Sequence, residues 1–194
     1  MRWVLGIFAV VFLLTVAPSN LSPLMVARNF GAEVWKLTVL EICFGVGMAI
    51  GGGLMALFAK KANRISMIIG TSILFGFLAV GLGFTTNLIV FYVLFFIIGL
   101  LVPAFFTSAM TLLQETVEPE RQGRVFGFVG IVISVAMPIG MSILGPLADV
   151  IRVEHLMVAA GSAMVVVALI ALLLPSGRRA IEAAHASSGP GDLA

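Results

Sequence analysis

Charged residues, cysteine and histidine are all scarce in this chain. Only 10% of its 194 residues are Asp, Glu, Lys or Arg, whereas about 25% of an ordinary soluble domain is charged. One cysteine, Cys43, excludes a disulfide or a cysteine metal site within the chain. A net charge of +2 is too small to indicate a nucleic-acid partner. Two histidines, His155 and His185, leave little material for acid–base catalysis.

Apolar residues are abundant and make up 61% of the sequence. A membrane-spanning helix needs roughly 20 consecutive, mostly apolar residues. Runs of that size cover Trp3–Ala27, Trp35–Ala59, Ile65–Phe84, Leu88–Leu113, Val125–Val150 and Val153–Leu174. They predict an all-α integral membrane protein with six transmembrane helices over residues 1–174. The first run is longer than the ~7–15 apolar residues of a signal peptide, so we expect it to remain as a helix. The small and polar residues 175–194 predict a disordered cytoplasmic tail.

The basic residues between the runs are distributed unequally between the two sides. Eight fall on the side of Met1, and three fall on the other side, at Arg28, Lys36 and Arg152. Short basic loops of membrane proteins stay in the cytoplasm. We therefore predict a multi-pass protein of the cell membrane (plasma or inner), with the lipid bilayer as a partner and both termini in the cytoplasm.

Two prolines interrupt the first run, and polar residues lie between them. Pro18 and Pro23 each remove a backbone donor, so the helix is expected to kink or unwind there. Discontinuous helices at membrane depth often line a transport pathway. Asn20 and Ser22 are therefore candidate pathway residues. A simple kink or an early end of the helix is the alternative.

Glu41 is the only acidic residue deep inside a run. It lies about eight residues from the start of the second helix, which at 1.5 Å per residue is ~12 Å and close to the middle of a ~30 Å hydrocarbon core. Ionisable groups at that depth are costly and are a functional hypothesis by default. We predict a proton-carrying or substrate-facing carboxyl. A protonated carboxyl that hydrogen-bonds to a neighbouring helix is the alternative.

Small residues form stripes on two of the runs. Gly45 and Gly52 share a face with Glu41, and Gly47 and Gly51 form a second face. Small residues allow helix backbones to approach closely, so the face of Glu41 is expected to contact another helix. Smooth faces that let helices rock are the functional alternative. The fifth run has a similar stripe at Gly127, Gly130, Ser134, Pro138, Met141 and Gly145.

The stretch Thr111–Asp149 resembles the loop between helices ten and eleven, together with helix eleven, of major facilitator superfamily transporters. The likeness is greatest to the macrolide-efflux branch of drug exporters. The motifs that carry it are Gln114, Pro119-Glu120, Gly123-Arg124-Val125-Phe126 and Met137-Pro138-Ile139-Gly140. The second run, with Glu41 followed by Gly47–Gly52, is similar to helix eight of that branch.

This resemblance implies a twelve-helix, proton-coupled exporter of small amphipathic molecules, of which this chain matches the second half. It implies two three-helix inverted repeats, a substrate site near the membrane midplane, and no cofactor besides a proton gradient. Phe105 and Phe106, beside Pro103, are candidate cavity-lining residues, and Gln114 is a further pathway candidate. The prolines and Gly140 are candidates for helix breaks and packing.

The charged segment before the fifth run is the candidate cytoplasmic gate. Glu118 and Glu120 lie close to Arg121 and Arg124, and Glu120 and Arg124 have the i,i+4 spacing of a helical ion pair. Plain topology and solubility are the alternative. The loop after the second run lacks the acidic residue and Gly-Arg pair of the family motif. The similar Gly145–Asp149 lies at the opposite end and is assigned no gating role.

Two other classes of function remain for comparison. An intramembrane serine protease needs a nucleophile and a base within hydrogen-bond reach, but Ser162 lacks a second flanking glycine and Glu41 has no acidic companion. We therefore expect no enzyme. The other alternative is a transport-inactive, truncated membrane protein or partner subunit. If the chain is half of a transporter, whether active or not, we expect it to need a separate first half or another copy of itself as its partner.

Overall fold

The computed structural model describes residues 2–58 and 64–173, and these form helices joined by short loops. Their bounds are α1 Arg2–Asn29, α2 Val34–Phe58, α3 Arg64–Phe84, α4 Leu88–Thr116, α5 Pro119–Val150 and α6 Val153–Leu173. Each helix coincides with one of the apolar runs, so the predicted all-helical class is confirmed. The predicted tail, residues 175–194, lies outside the described residues, as does the loop with Lys60 and Lys61.

Five of these helices, α2 to α6, are long and apolar enough to cross a membrane. The predicted multi-pass membrane protein is therefore confirmed. Within the described part of the chain, α1 is not among those five. That α1 also crosses stays a prediction, and its 28 residues would extend over ~42 Å at 1.5 Å per residue.

The contacts between helices have two-fold symmetry. When α1, α2 and α3 are replaced by α4, α5 and α6, and the reverse, each main helix pair becomes an observed pair. The pair α1·α5 corresponds to α4·α2, and α1·α6 corresponds to α4·α3. The remaining extensive contact, α3·α6, maps onto itself. This arrangement is the one expected of two interlocked three-helix repeats of opposite orientation.

Glycines allow α2 and α4 to cross with their backbones in contact. A Cβ atom on Gly47 would collide with the carbonyl oxygen of Phe96, and one on Gly51 would collide with Leu100. The approach is reciprocal, because a Cβ on Gly99 would lie 2.5 Å from the carbonyl oxygen of Phe44. The second small-residue face predicted for α2 is therefore a helix-packing face.

The α3·α6 contact is built in the same way. A Cβ on Gly76 would lie 2.8 Å from the carbonyl oxygen of Gly161, and one on Gly161 would lie 2.7 Å from that of Gly76. Gly83 makes a third close approach, to Val158 at 2.7 Å and to the carbonyl of Glu154 at 2.9 Å. Only glycine fits at these positions without a shift of the helices.

The expectation that the face of Glu41 packs on another helix is wrong for this chain. A Cβ on Gly45 or Gly52 would meet nothing within 4 Å. The α5 stripe is open as well, because a Cβ on Gly127, Gly130 or Gly145 would meet nothing within that distance. The physical reason is that α2 is already covered by α4 on its Gly47 side, which leaves the opposite side free.

The first run neither unwinds at its prolines nor ends early, so these two expectations are wrong. α1 continues as an α-helix through both Pro18 and Pro23 and ends at Asn29. Ser22 is fully buried, and its hydroxyl donates to the Pro18 carbonyl at 2.5 Å. Each proline removes one backbone hydrogen bond from α1, and the helix packs against α5 and α6.

The loops divide the bundle into two ends. The first-loop end contains residues 30–33, 85–87 and 151–152, and the second-loop end contains residues 117–118 and the start of α3. At the first-loop end, Gly31 has a positive φ of 104°. Lys36 Nζ donates to the carbonyl of Phe30 at 2.6 Å and to Glu33 at 3.1 Å. That hydrogen bond from Lys36 lowers the pKa of the Glu33 carboxyl.

Candidate functional site

Glu41 lies on the uncovered face of α2 and is exposed within this chain. Its neighbour Leu40 is completely buried, because successive helical residues point about 100° apart. Among the described residues nothing hydrogen-bonds to the Glu41 carboxyl. The alternative of a hydrogen bond to a neighbouring helix is therefore not realised within the chain. A carboxyl inside a membrane span needs water or a partner from outside the chain.

A small cavity of about 50 Å³ lies inside the bundle between α1, α3, α4 and α6. Phe105 and Phe106 line it together with Thr15, Thr71 and Ser72, and its surface is almost entirely apolar. Each hydroxyl donates to a carbonyl of its own helix, at 2.8, 2.6 and 2.6 Å. The volume is sufficient for water but not for a drug-sized molecule.

The other predicted pathway residues lie elsewhere. Ser22 is buried in α1 and Asn20 is half-buried, and neither lines this cavity. Gln114 is exposed near the end of α4. The predicted residues therefore do not form one site in the isolated chain.

The residues predicted to break or pack helices α4 and α5 differ in how far they are buried. Pro103 continues α4 as a half-buried residue, and Pro138 is exposed inside α5. Gly140, two residues further on, is buried. Helix periodicity explains this contrast, because the two residues point about 200° apart around α5.

The charged segment at the second-loop end is folded differently from the prediction. Apart from Val117 and Glu118 it is helical, because α4 continues to Thr116 and α5 begins at Pro119. The predicted Glu120–Arg124 pair is wrong, since no described ion pair joins these side chains. Arg121 instead pairs with Glu118 at 3.2 Å.

A longer-range ion pair at the same end was not predicted. Arg64, at the start of α3, pairs with Glu115, at the end of α4, at 2.8 Å. Gln122 also lies here, and its side chain donates to the carbonyl groups of Gln114 and Val117 at 3.1 and 3.2 Å. It therefore satisfies carbonyls at the end of α4 that have no partner in the helix.

A second charged contact, which we call the first-loop latch, fastens α1 to α5 and α6. Arg28 donates to the Ala148 carbonyl at 2.5 Å and pairs with Asp149 at 2.9 Å. Asn29 donates to Glu154 at 2.9 Å. The sequence signal was present, since these residues all lie at helix ends on one side, but the partners are about 120 residues apart.

Beside the latch is a larger cavity of about 630 Å³, which we call the first-loop cavity. It lies where α1 and α3 end and α6 begins. Its walls are Asn29, Phe30, Gly83, Phe84, Thr85, Thr86, Arg152, Glu154, His155, Val158 and Ala159. Among the described residues no group of three His, Cys, Asp or Glu side chains suits a metal ion.

Membrane-length helices arranged as two interlocked repeats, with the outer sides of α2 and α5 uncovered, define a polytopic membrane protein of the half-transporter type. The chain belongs to the Major Facilitator Superfamily, whose family model matches residues 3–190. No solved structure gives a significant match.

The curated relatives have drug-efflux names. The chain is 31% identical over 182 residues to "Macrolide efflux protein A" of Streptococcus pyogenes, which covers 90% of this chain and 45% of the relative. It is 34% identical over 144 residues to the protein of the same name in Enterococcus faecalis, covering 70% of this chain and 45% of the relative. The chain therefore spans about half the length of the curated relatives it matches.

Proposed function

We propose that this chain acts as one six-helix half of a proton-coupled exporter of amphipathic organic compounds such as macrolide-type drugs. Membership of a transporter family favours transport over enzymatic catalysis. The names of the relatives support efflux. The observation that carries the proposal is the lone Glu41 carboxyl on an uncovered face of a membrane span.

Glu41 is the proposed proton carrier. A carboxyl in contact with hydrocarbon or a closed interface is stable only as the neutral acid, whereas contact with water favours the charged form. Alternating access changes which of these surroundings a residue on the face of α2 meets. Proton uptake on one side and release on the other follow from that change, and no cofactor is needed besides the proton gradient.

The other predicted residues receive roles around this carboxyl. Phe105 and Phe106 are proposed to line an apolar part of the substrate pathway, which widens from the small cavity when the bundle opens. Asn20, Ser22 and Gln114 are proposed polar contacts along it. At the second-loop end, Glu118, Glu120, Arg121 and Arg124 are proposed to close the cytoplasmic mouth, with Arg64 and Glu115 added by the structure.

The proposed setting is the cell membrane with both termini in the cytoplasm, which makes the first-loop end the outer one. The proposed partner is a separate six-helix half, because the relatives are about twice as long as the matched region. A second copy of this chain is the other candidate partner. Either would cover the open faces of α2 and α5.

The decisive experiment measures drug export by the chain together with its partner half in vesicles with an imposed proton gradient. We expect Glu41→Gln to abolish proton-driven export, because the amide cannot carry a proton. Glu41→Asp should retain part of it, because the carboxyl is kept. Both variants should insert and fold like the unchanged protein. Export by Glu41→Gln at the original rate would exclude the proton role.

A transport-inactive membrane protein is the second candidate function, and the half-length match favours it. It predicts no export with any six-helix partner, although the chain inserts normally. Reading the coding sequence next to that of this chain for a frame with six more helices gives a direct first test. Drug accumulation assays with that partner then separate the two candidates.

A further inference from the structure

We propose that the first-loop cavity binds the phosphate headgroup of a phospholipid from the membrane leaflet at that end of the bundle. Its position agrees with the level of the headgroups. Both α3 and α6 are 21 residues long, which at 1.5 Å per residue is ~32 Å and close to the ~30 Å thickness of the hydrocarbon core. The end of α3 and the start of α6 therefore lie at the membrane surface.

The lining of the cavity is amphipathic. Phe30, Phe84, Val158 and Ala159 form an apolar wall, and Phe84 is 73% exposed at the end of α3. Aromatic side chains favour this interfacial level. Polar side chains, among them Asn29, Thr86 and Arg152, make up the rest of the lining. An amphiphile covers both parts at once, whereas a free inorganic anion would leave the apolar wall in water.

Arg152 is the proposed contact to the phosphate. Its side chain is 75% exposed, and its only described ion pair is a 3.3 Å contact from Nη2 to Glu154. A guanidinium group has five N–H donors, so most of them remain for a phosphate oxygen pair. His155 and Thr86 lie on the same lining and are also exposed.

The acidic residue of the cavity is already engaged. Glu154 Oε1 accepts from Asn29 at 2.9 Å and from Arg152 at 3.3 Å. Arg28 is likewise engaged, by Asp149 and the Ala148 carbonyl. Arg152 is therefore the one Lys or Arg side chain among the described lining residues, and most of its donors remain free. A cationic amphiphile would place its charge beside this guanidinium, so the charges favour a phosphate.

The test uses the purified 194-residue chain in detergent, with bound lipids counted by native mass spectrometry. The probes are phosphatidylglycerol and glycerol phosphate, and a quaternary ammonium surfactant serves as the cationic comparison. We expect one retained phosphatidylglycerol whose affinity falls at least about tenfold in Arg152→Gln, as expected for loss of a charge-assisted phosphate contact. Ala159→Trp, which fills the apolar wall and keeps the charges, should also reduce binding. Arg124→Gln, which removes a charge at the opposite end, should leave the retained lipid unchanged.

Several outcomes would overturn the proposal. Equal lipid retention in Arg152→Gln, in Ala159→Trp and in the unchanged chain would show that the lipid binds elsewhere. Glycerol phosphate that displaces the lipid at comparable concentration would identify a site for a free phosphate instead. Tighter binding of the cationic surfactant than of phosphatidylglycerol would reverse the assigned ligand charge. Circular dichroism of each variant separates loss of binding from loss of fold.

Discussion

At the scale of single residues, glycine identity matters most where helices cross. Gly76 and Gly161 let α3 and α6 touch through their backbones, while Gly70, six residues before Gly76 on the same helix, faces open space. The same residue type therefore has opposite consequences at two positions of one helix. The distinction is between a helix crossing and a free surface, and the surrounding residue types alone do not show it.

We expect Gly76→Ala to destabilise the chain by about 1–3 kcal/mol, because the added Cβ must push α3 away from the Gly161 carbonyl. The control Gly70→Ala should be neutral or should stabilise by up to ~1 kcal/mol, because alanine is the better helix former and nothing blocks its methyl group. Denaturant unfolding in detergent measures both. Equal stability of the two variants would show that the close approach is not required.

At the scale of helices, the two ends of the bundle are fastened by related contacts. Glu154 at the start of α6 binds Asn29 at the end of α1, and Arg64 at the start of α3 binds Glu115 at the end of α4. The two contacts are related by the same two-fold symmetry that relates α1–α3 to α4–α6. Each joins the first helix of one repeat to the third helix of the other repeat. Arg28 adds a connection from α1 to α5 at the first-loop end.

We expect Arg28→Met to cost about 1–2 kcal/mol of stability, because it removes both the ion pair and the hydrogen bond to the Ala148 carbonyl. Asp149→Asn should cost less than ~1 kcal/mol, since this carboxylate is exposed and screened by solvent. The control Glu118→Gln breaks an exposed pair with Arg121 that connects no distant helices, so its cost should be near zero.

Unfolding of the single and double variants in a double-mutant cycle measures the Arg28–Asp149 coupling. A coupling energy of zero, with Arg28→Met no more costly than the Glu118→Gln control, would contradict the latch. A larger cost of Arg28→Met that persists when Asp149 is already Asn would assign most of the effect to the Ala148 carbonyl.

At the scale of the whole molecule, the bundle leaves apolar side chains exposed on all of α2 to α6, and α2 and α5 carry many of them. Exposed side chains on α2 and α5 include Ile42, Val46, Met48, Ile50, Phe128, Ile131, Val135, Ile139 and Ile143. Lipid alone satisfies apolar side chains, but it does not satisfy the exposed carboxyl on the Glu41 side of α2. A protein partner on this side is therefore proposed.

We expect a cysteine at Ser134, on the uncovered side of α5, to crosslink to the partner half in membranes when the two are co-expressed. The matched control is a cysteine at Ser162, which is also exposed but lies on α6. Both variants carry Cys43→Ser to remove the native thiol. Crosslinked dimers of the chain alone would favour a second copy as the partner. Equal crosslinking from Ser134→Cys and Ser162→Cys would reject the α5 side as the partner surface.

Local features of the sequence were sufficient for a large part of the fold. The six apolar runs predicted the six helices, because membrane spans need only length and apolar composition. The motifs around Gln114 and Met137–Gly140 led to the correct family. The same local reasoning failed at Pro18 and Pro23, where the helix continues without unwinding, and at Glu120 and Arg124, where the expected spacing did not produce a pair.

The sequence by itself therefore determined that this is a multi-pass helical membrane protein with the pattern of half a transporter, because hydropathy is a local property of each segment. Only the tertiary structure decided which side of each helix is covered. It placed Gly47 and Gly51 inside a crossing and left Glu41 on the open side, and it paired Arg28 with Asp149. These choices depend on contacts between segments far apart in the chain, and no local pattern encodes them.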